Sequence, residues 1–174
     1  GIQRRLVLVS PSPIPFRHLF THPSGISYGS LPNDPVDLLY NQASSQIDRK
    51  TETIQSFVEN LAGQPLAFHP GTQWRYGFNL DVLGALIEVI SGQSLEDFMR
   101  EHIFKPLNMG DTGFTVSAEK VDRLAVVYRK HPKRGNIVKR VAPVPLPVKM
   151  WGGAGLVSTL DDYSHFAEML ANQG

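Results

Sequence analysis

Phe68-His-Pro-Gly-Thr-Gln-Trp-Arg-Tyr-Gly-Phe-Asn-Leu-Asp-Val-Leu-Gly84 is the stretch of sequence that decides the fold. A turn at Pro70-Gly71 leads to Tyr76, which has aromatic neighbours on both sides, and an apolar run follows. Residues 79–91 favour a helix that is apolar nearly all round, which is typical of a buried helix. The stretch therefore predicts a tyrosine hydroxyl held rigidly where a buried helix begins.

The composition is that of one globular domain. The chain has 174 residues, of which 41% are hydrophobic and 19% charged, and its formal net charge is +1. This balance indicates neither a nucleic-acid partner nor a membrane partner. The absence of cysteine excludes a disulfide framework and a thiolate nucleophile. Apolar runs all fall short of the roughly 18 residues of a membrane span.

Capping residues indicate four further helices. Each begins after a side chain that can accept a backbone N–H: Asp34, Thr51, Ser94 and Thr159. Three of the predicted helices end at Gly63, Gly92 and Pro106. The helix that ends at Gly92 is the one over residues 79–91. Helical spacing predicts these inward-facing residues: Val36, Leu39, Ala43 and Ile47; Ile54, Phe57, Val58 and Leu61; Leu95, Phe98, Met99 and Ile103; Tyr163, Phe166, Ala167 and Leu170.

Extended segments are predicted in several places. Residues 1–9 favour a strand, and residues 124–128 and 136–141 favour two strands around a Gly135-Asn136 turn. Alternate prolines predict that residues 141–148 are extended, and residues 151–155 form a tight glycine-rich passage. The N-terminal stretch is too short for a secretory signal, so no targeting segment and no compartment are indicated. We interpret Gly1 as a cut point within a longer protein.

Four blocks of sequence, taken in order, resemble one known family. They span residues 15–26, 70–84, 104–114 and 152–163. The second is Pro70-Gly-Thr-Gln-Trp-Arg-Tyr76 with its helix, and the third is Phe104-Lys-Pro-Leu-Asn-Met-Gly-Asp-Thr-Gly-Phe114. Together they resemble the serine β-lactamase-like hydrolases, a group that includes class C β-lactamases, D,D-peptidases and family VIII carboxylesterases.

The resemblance implies the fold class. It is mainly α with short strands, and corresponds to the helical region of a β-lactamase/transpeptidase-like α+β fold whose flanking α/β sandwich is largely missing. Residues 1–174 would then form a single partial domain. Residues 1–110 are its helical part with the tyrosine motif, residues 111–150 an extended and hairpin segment, and residues 151–174 a glycine-rich segment with a helix.

The resemblance also implies the site. In that family a Ser-x-x-Lys helix supplies the nucleophile, and a Tyr-x-Asn motif supplies a tyrosine whose phenolate is favoured by the neighbouring lysine, so that it acts as a general base. Tyr76 matches this tyrosine, and Phe78 stands where many members have Asn. The predicted acyl pocket consists of Trp74, Phe78, Trp151, Gly152 and Gly153. From composition alone, a core aromatic packed beside Trp74 would be the favoured interpretation of Tyr76, and the flanking blocks reverse this preference.

The family's nucleophile lies upstream of the first block, which places it before residue 1. The chain has one Ser-x-x-Lys match, Ser117-Ala-Glu-Lys120, but it falls where the family has a variable connection. It is therefore interpreted as a chance match, and the chain is predicted to be inactive by itself.

Two other patterns favour simple explanations. His18 and His22 are four residues apart, but they lack the Glu of a His-Glu-x-x-His zinc motif and Pro23 ends any helix, so no metal is predicted. A basic run favours a solvated hairpin rather than a phosphate or nucleic-acid site: Arg129, Lys130, Lys133, Arg134, Lys139 and Arg140.

The predicted function is that of a carboxylesterase which acts on a small ester or amide through an acyl-enzyme and needs no cofactor. Tyrosine followed by Gly-Phe-Asn-Leu-Asp is closer to the esterase members of the family than to the β-lactamases. The alternatives are a β-lactamase or D,D-peptidase and a non-catalytic fragment or binding module. An open apolar face also predicts self-association.

Overall fold

The computed structural model describes residues 13–45, 53–131, 133–139 and 151–174. Six α-helices and one two-stranded antiparallel sheet make up most of the regular structure of these residues. The helices are α1 (Phe16–Thr21), α2 (Pro35–Ser45), α3 (Ile54–Ala62), α4 (Asn79–Ser91), α5 (Leu95–Met99) and α6 (Leu160–Ala171). A π-helical turn (Arg100–Phe104) continues α5, and a 3-10 helix (Ala118–Arg123) precedes the strands β1 (Tyr128–Lys130) and β2 (Ile137–Lys139).

The predicted caps begin three of these helices. The Asp34 carboxylate accepts from the backbone N–H groups of the first turn of α2, and the hydroxyls of Ser94 and Thr159 do the same for α5 and α6. The predicted N-cap of α3, Thr51, was wrong by two residues. The helix is capped by Thr53, which forms a capping box with Ser56. Thr51 lies outside the described residues.

Helix α4 lies at the centre of the packing and contacts α1, α3 and α5. Its predicted bounds are confirmed, and Gly92 ends it with a φ of 70°. One buried cluster lies on each side of the helix. The first contains Leu19, Ile26, Tyr40, Phe57, Leu61 and Phe78, and the second contains Ile54, Ala85, Leu95 and Phe114. Burial raises the pKa of the Tyr40 phenol to about 12.

Two predictions about buried faces were wrong. Helix α4 is not buried all round, because Val89 and Ile90 near its end are 68% and 72% exposed. Helix α6 does not turn Tyr163 and Leu170 inward, and its buried residue is Asp162. Asp162 turns inward because its carboxylate accepts hydrogen bonds from the backbone N–H of Asp111 at 2.7 Å and from the hydroxyl of Thr112.

The remaining predictions concern α2 and the hairpin. In α2 the predicted Ala43 is buried, but Tyr40 packs inward instead of Leu39, which is exposed. The predicted hairpin exists, with Tyr128 opposite Lys139, but its first strand begins at Tyr128 rather than at Leu124. Ile47, the strand at 1–9 and the extended segment 141–148 lie outside the described residues. None of the described helices combines the length and apolar character needed to cross a membrane.

Two segments run side by side and build the entry to α4. Residues 22–28 follow α1, and residues 67–78 precede α4. Four backbone hydrogen bonds join them: Ala67 N–H to Gly25 O (2.8 Å), Gly71 N–H to Pro23 O (2.7 Å), Arg75 N–H to His22 O (3.1 Å) and Phe78 N–H to Ser27 O (3.3 Å). The approach is closest at Gly77, where a Cβ atom would lie 2.0 Å from the carbonyl oxygen of Ile26.

We predict that Gly77→Ala destabilises the fold by about 3 kcal/mol or more, because the new methyl group would overlap a backbone oxygen that cannot move aside. Urea denaturation followed by circular dichroism measures this change. Gly110→Ala is the matched control, since a Cβ atom there meets nothing within 4 Å. Equal stability of the two variants would contradict the prediction.

Candidate active site

Tyr76 lies three residues before α4 and its side chain is 53% exposed. Its ring is held between two others, with the His22 centroid at 5.0 Å and the Tyr28 centroid at 5.5 Å. Aromatic rings at such separations attract one another. The arrangement therefore fixes the orientation of the phenol ring while leaving about half of the residue open to an approaching molecule.

Arg75 anchors the segment that carries Tyr76. Its guanidinium bridges two carboxylates at the start of α2, Asp34 at 3.0 Å and Asp37 at 2.9 Å. Asp37 is 1% exposed and also accepts from the Ser27 hydroxyl and from the backbone N–H of Leu31 at 2.8 Å. Burial acts to raise the pKa of Asp34, but the hydrogen bonds from Arg75 and from the backbone hold it below its ordinary value.

A second polar network lies under the Tyr76 side chain. Asn79, the first residue of α4, is fully buried. Its amide oxygen accepts from the Ser24 hydroxyl, and its amide nitrogen lies 2.8 Å from Nδ1 of His22. Helix α4 therefore begins on a hydrogen-bonded platform that also holds the imidazole ring beside Tyr76.

The predicted pocket residues Trp74 and Phe78 lie on opposite sides of this segment. Trp74 is 67% exposed, and its ring meets the edge of His22 at 5.9 Å. Phe78 points into the core, where its ring stacks on Tyr28 at 4.4 Å and contacts Phe57 at 5.1 Å. The structure thus brings Trp74 together with Tyr76 at the surface and places Phe78 beneath them.

The glycine-rich passage crosses the first turn of α4. A Cβ atom on Gly152 would lie 1.9 Å from the carbonyl oxygen of Leu80, so only glycine fits there. The backbone N–H of Gly153 donates to the Asp81 carboxylate at 3.1 Å. Burial raises the pKa of Asp81 above its ordinary value, and the bond from Gly153 offsets this effect only in part.

Trp151, Gly152 and Gly153 line an apolar groove of about 480 Å³ between α4, α5 and the glycine-rich passage. Trp74, Tyr76 and Phe78 do not line it. The two groups of predicted residues are linked through Phe57, whose ring contacts both Phe78 and Trp151, the latter at 4.3 Å. The structure therefore brings the predicted residues together as two neighbouring groups rather than as one pocket.

Sequence reasoning missed the residues that hold Tyr76 in place. Nothing in the sequence singles out Asp37, and the spacing of His22 from His18 points only to a metal motif that is incomplete. The available signal is Asn79, a polar residue at the start of a mostly apolar helix, because a polar residue that is buried there needs polar partners.

The structure gives no support to Ser117 as a nucleophile. Ser117 precedes the 3-10 helix, and the ammonium group of Lys120 is hydrogen-bonded to the Asp111 carboxylate. Hydrogen bonds from Lys120 and Arg123 lower the pKa of Asp111. Lys120 is therefore engaged by a carboxylate rather than available to activate the serine hydroxyl.

The other sequence patterns behave as structural features. The described residues contain no cluster of three or more His, Asp or Glu side chains that could hold a metal ion. His22 uses Nδ1 in its bond with Asn79. The basic residues Arg129, Lys130, Lys133, Arg134 and Lys139 belong to the exposed hairpin and its turn, and Arg140 lies outside the described residues.

Comparison with known proteins gives consistent matches. The family model described as Beta-lactamase matches residues 10–174. Esterase EstB of Burkholderia gladioli is 32% identical over 92% of this chain and 45% of its own length, and the lovastatin esterase of Penicillium rubens is 36% identical over 93% and 41%. The solved structure of EstCE1, a hydrolase with promiscuous acyltransferase activity, has a TM-score of 0.74 and 27% identity over 91% of this chain and 46% of that one.

The chain thus spans less than half the length of these relatives. The described part has the mostly helical character expected for the helical region of a β-lactamase-like fold, with one two-stranded sheet.

We predict that Arg75→Ala lowers the free energy of unfolding by about 3 kcal/mol, because it leaves the buried Asp37 carboxylate without its counter-charge. Chemical denaturation measures the loss. Arg100→Ala is the matched control, because Arg100 pairs with carboxylates at the surface and should contribute less than about 1 kcal/mol. Similar losses in the two variants would show that the Asp37 network does not determine stability.

We also predict that Asp81→Asn flattens the pH dependence of stability. With its pKa raised on folding, Asp81 binds its proton more tightly in the folded chain, so stability falls as pH rises from the ordinary value of 3.8 through the raised value. Asn keeps an acceptor for the Gly153 N–H and carries no charge. In urea denaturation, the free energy of unfolding of Asp81→Asn relative to the wild type should increase as the pH rises from mildly acidic to neutral. The exposed control Asp122→Asn should show no such increase. Parallel curves for Asp81→Asn and the wild type would contradict this assignment.

Proposed function

The chain belongs to the beta-lactamase family, and from that premise we propose that it supplies the general base of a serine hydrolase acting on small esters or amides. The observation that carries the proposal is the placement of Tyr76. It is half exposed, its ring is held between two others, and Arg75 beside it is bound to a buried carboxylate. A general base must present its oxygen in a fixed position, and this arrangement provides that.

The proposed reaction has two steps of the same kind. In the first, the oxygen of a family serine attacks the substrate carbonyl carbon while its proton passes to the Tyr76 oxygen. The tetrahedral intermediate then collapses, the bond to the leaving group breaks, and the leaving group takes that proton. In the second step water gives its proton to Tyr76, attacks the acyl-enzyme, and the serine oxygen leaves with the proton.

An esterase is favoured over a β-lactamase or D,D-peptidase. Phe78 occupies the third position of the Tyr-x-Asn motif, and its ring is buried against Phe57 and Tyr28, so it offers no amide to a substrate. Two of the relatives above are named esterases. In this proposal Trp74 borders the exposed side of Tyr76, while Trp151, Gly152 and Gly153 contribute from the neighbouring groove.

The proposed nucleophile lies outside this chain, because Lys120 of the one Ser-x-x-Lys match is engaged by Asp111. The alternative of a non-catalytic fragment therefore applies to the chain by itself. Two further statements stay predictions. One is the division of the domain into parts at residues 110 and 150, and the other is self-association through an apolar face. Exposed apolar side chains support the latter: Phe16, Phe20, Val89, Ile90 and Leu160.

We predict that Tyr76→Phe reduces ester hydrolysis by about 10² to 10⁴-fold in a protein of the relatives' full length that carries this chain, because the variant cannot accept a proton. Its stability should change little, since only one exposed hydroxyl is removed. Steady-state turnover of a short-chain nitrophenyl ester measures the rate. Tyr128→Phe is the control, because Tyr128 is an exposed tyrosine on the hairpin.

Full activity of the Tyr76→Phe protein would refute the assignment of Tyr76 as base. The chain alone serves as a second arm of the experiment, and we expect it to show no steady turnover. Turnover by the chain alone that is abolished by Ser117→Ala would instead identify Ser117 as the nucleophile and overturn the proposed arrangement.

A further inference from the structure

Ser24, Asn79 and His22 form a buried hydrogen-bonded network next to Tyr76. The donor and the acceptor of each hydrogen bond in this network can be assigned. The Ser24 oxygen accepts from the backbone N–H of Ile26 at 3.0 Å, and its hydroxyl proton is donated to the amide oxygen of Asn79. That bond fixes which end of the amide faces His22. Among the described residues, the reverse orientation would leave the Ser24 proton without an acceptor.

The amide nitrogen of Asn79 lies 2.8 Å from Nδ1 of His22. An amide nitrogen can only donate, so Nδ1 must accept and carries no proton. In a neutral imidazole the proton is then on Nε2. Ser24 and Asn79 are both fully buried, which makes an unmade bond in this network costly.

The backbone of His22 is constrained as well. His22 follows α1 with a φ of 66°, in the left-handed region that few residues other than glycine adopt. Its carbonyl oxygen accepts from the backbone N–H of Arg75 at 3.1 Å, and its ring lies 5.0 Å from the ring of Tyr76. Both the main chain and the side chain of His22 therefore contact the segment that carries Tyr76.

We propose that His22 is the positioning residue of Tyr76, held by Ser24 and Asn79 as the tautomer that carries its proton on Nε2. The network fixes the plane of the imidazole, and the imidazole fixes one face of the phenol ring. With the Nδ1 lone pair occupied by a buried donor, Nδ1 of His22 is not available to a metal ion or to a second donor. The catalytic consequence rests on the proposed function of Tyr76, whereas the tautomer does not.

The tautomer is tested on this chain by long-range ¹H–¹⁵N NMR spectra of the imidazole rings at mildly alkaline pH. We expect His22 to carry its proton on Nε2. His131 is an internal reference, because its Nδ1 accepts from the backbone N–H groups of Lys133 and Arg134. A His22 ring that carries its proton on Nδ1, or one that interconverts between tautomers, would overturn the proposal.

Asn79→Asp is the informative variant. Its carboxylate is nearly isosteric and still accepts from Ser24, but it cannot donate to His22. We expect the proton of His22 to move to Nδ1, while His131 keeps its tautomer. Asn136→Asp adds the same charge in the hairpin turn and should leave His22 unchanged. An unchanged His22 tautomer in folded Asn79→Asp would contradict the network, and the wild-type spectrum decides the matter if this variant does not fold.

His22→Asn separates positioning from stability in the protein of full length. Asn tolerates a positive φ and offers Asn79 an acceptor, but it has no ring to place against Tyr76. We expect kcat to fall by about 10 to 10²-fold with KM within about twofold, because the base is displaced while substrate binding is kept. His102→Asn, at an exposed position in the middle of the π-helical turn, is the control.

The outcomes distinguish the two proposals. A large loss in Tyr76→Phe with none in folded His22→Asn would refute the positioning role and leave the general base intact. No loss in Tyr76→Phe would refute the proposed function, and the positioning of a catalytic residue with it. A fall in kcat that is matched by an equal rise in KM would point to substrate binding instead and would also overturn the inference.

Discussion

The buried carboxylate of Asp37 is the constraint on which the candidate site depends. Its partners come from two parts of the chain: the hydroxyl of Ser27 and the backbone of Leu31 in the loop after α1, and the guanidinium of Arg75 before α4. A carboxylate removed from water is very unfavourable unless it is paired and hydrogen-bonded. The loop after α1, the start of α2 and the segment before α4 are therefore held together, and the backbone that carries Tyr76 is anchored through its neighbour Arg75.

The start of α4 is held in a similar way from two sides. The first turn of α4 carries two buried polar residues, Asn79 and Asp81. Asn79 binds Ser24 and His22, whereas Asp81 binds the backbone of Gly153. Gly153 and Asp81 are 72 residues apart in the chain. The first turn of α4 therefore brings the glycine-rich passage next to the segment that carries Tyr76.

The sequence was sufficient for several features that are decided locally. The caps at Ser94 and Thr159 and the glycine that ends α4 depend on residues only a few positions apart. The burial of α6 could not be predicted from periodicity, because Asp162 turns inward to bind a backbone group 51 residues away. The same limit applies to the site. A motif identified Tyr76, but its contact with His22 and the bond between Arg75 and Asp37 join residues that only the folded chain brings together.

The neighbours of Tyr76 limit the direction from which a nucleophile could approach. Two sides of its ring are covered by His22 and Tyr28, and Phe78 lies beneath Tyr28 in the core. Tyr76 is nevertheless 53% exposed, and Trp74, which also contacts His22, is exposed as well. In the proposed enzyme, a serine and lysine supplied by the rest of the protein would therefore meet the phenol from the solvent side of this helical region. This chain matches less than half of each of these relatives, so each of them has further sequence beyond the matched part.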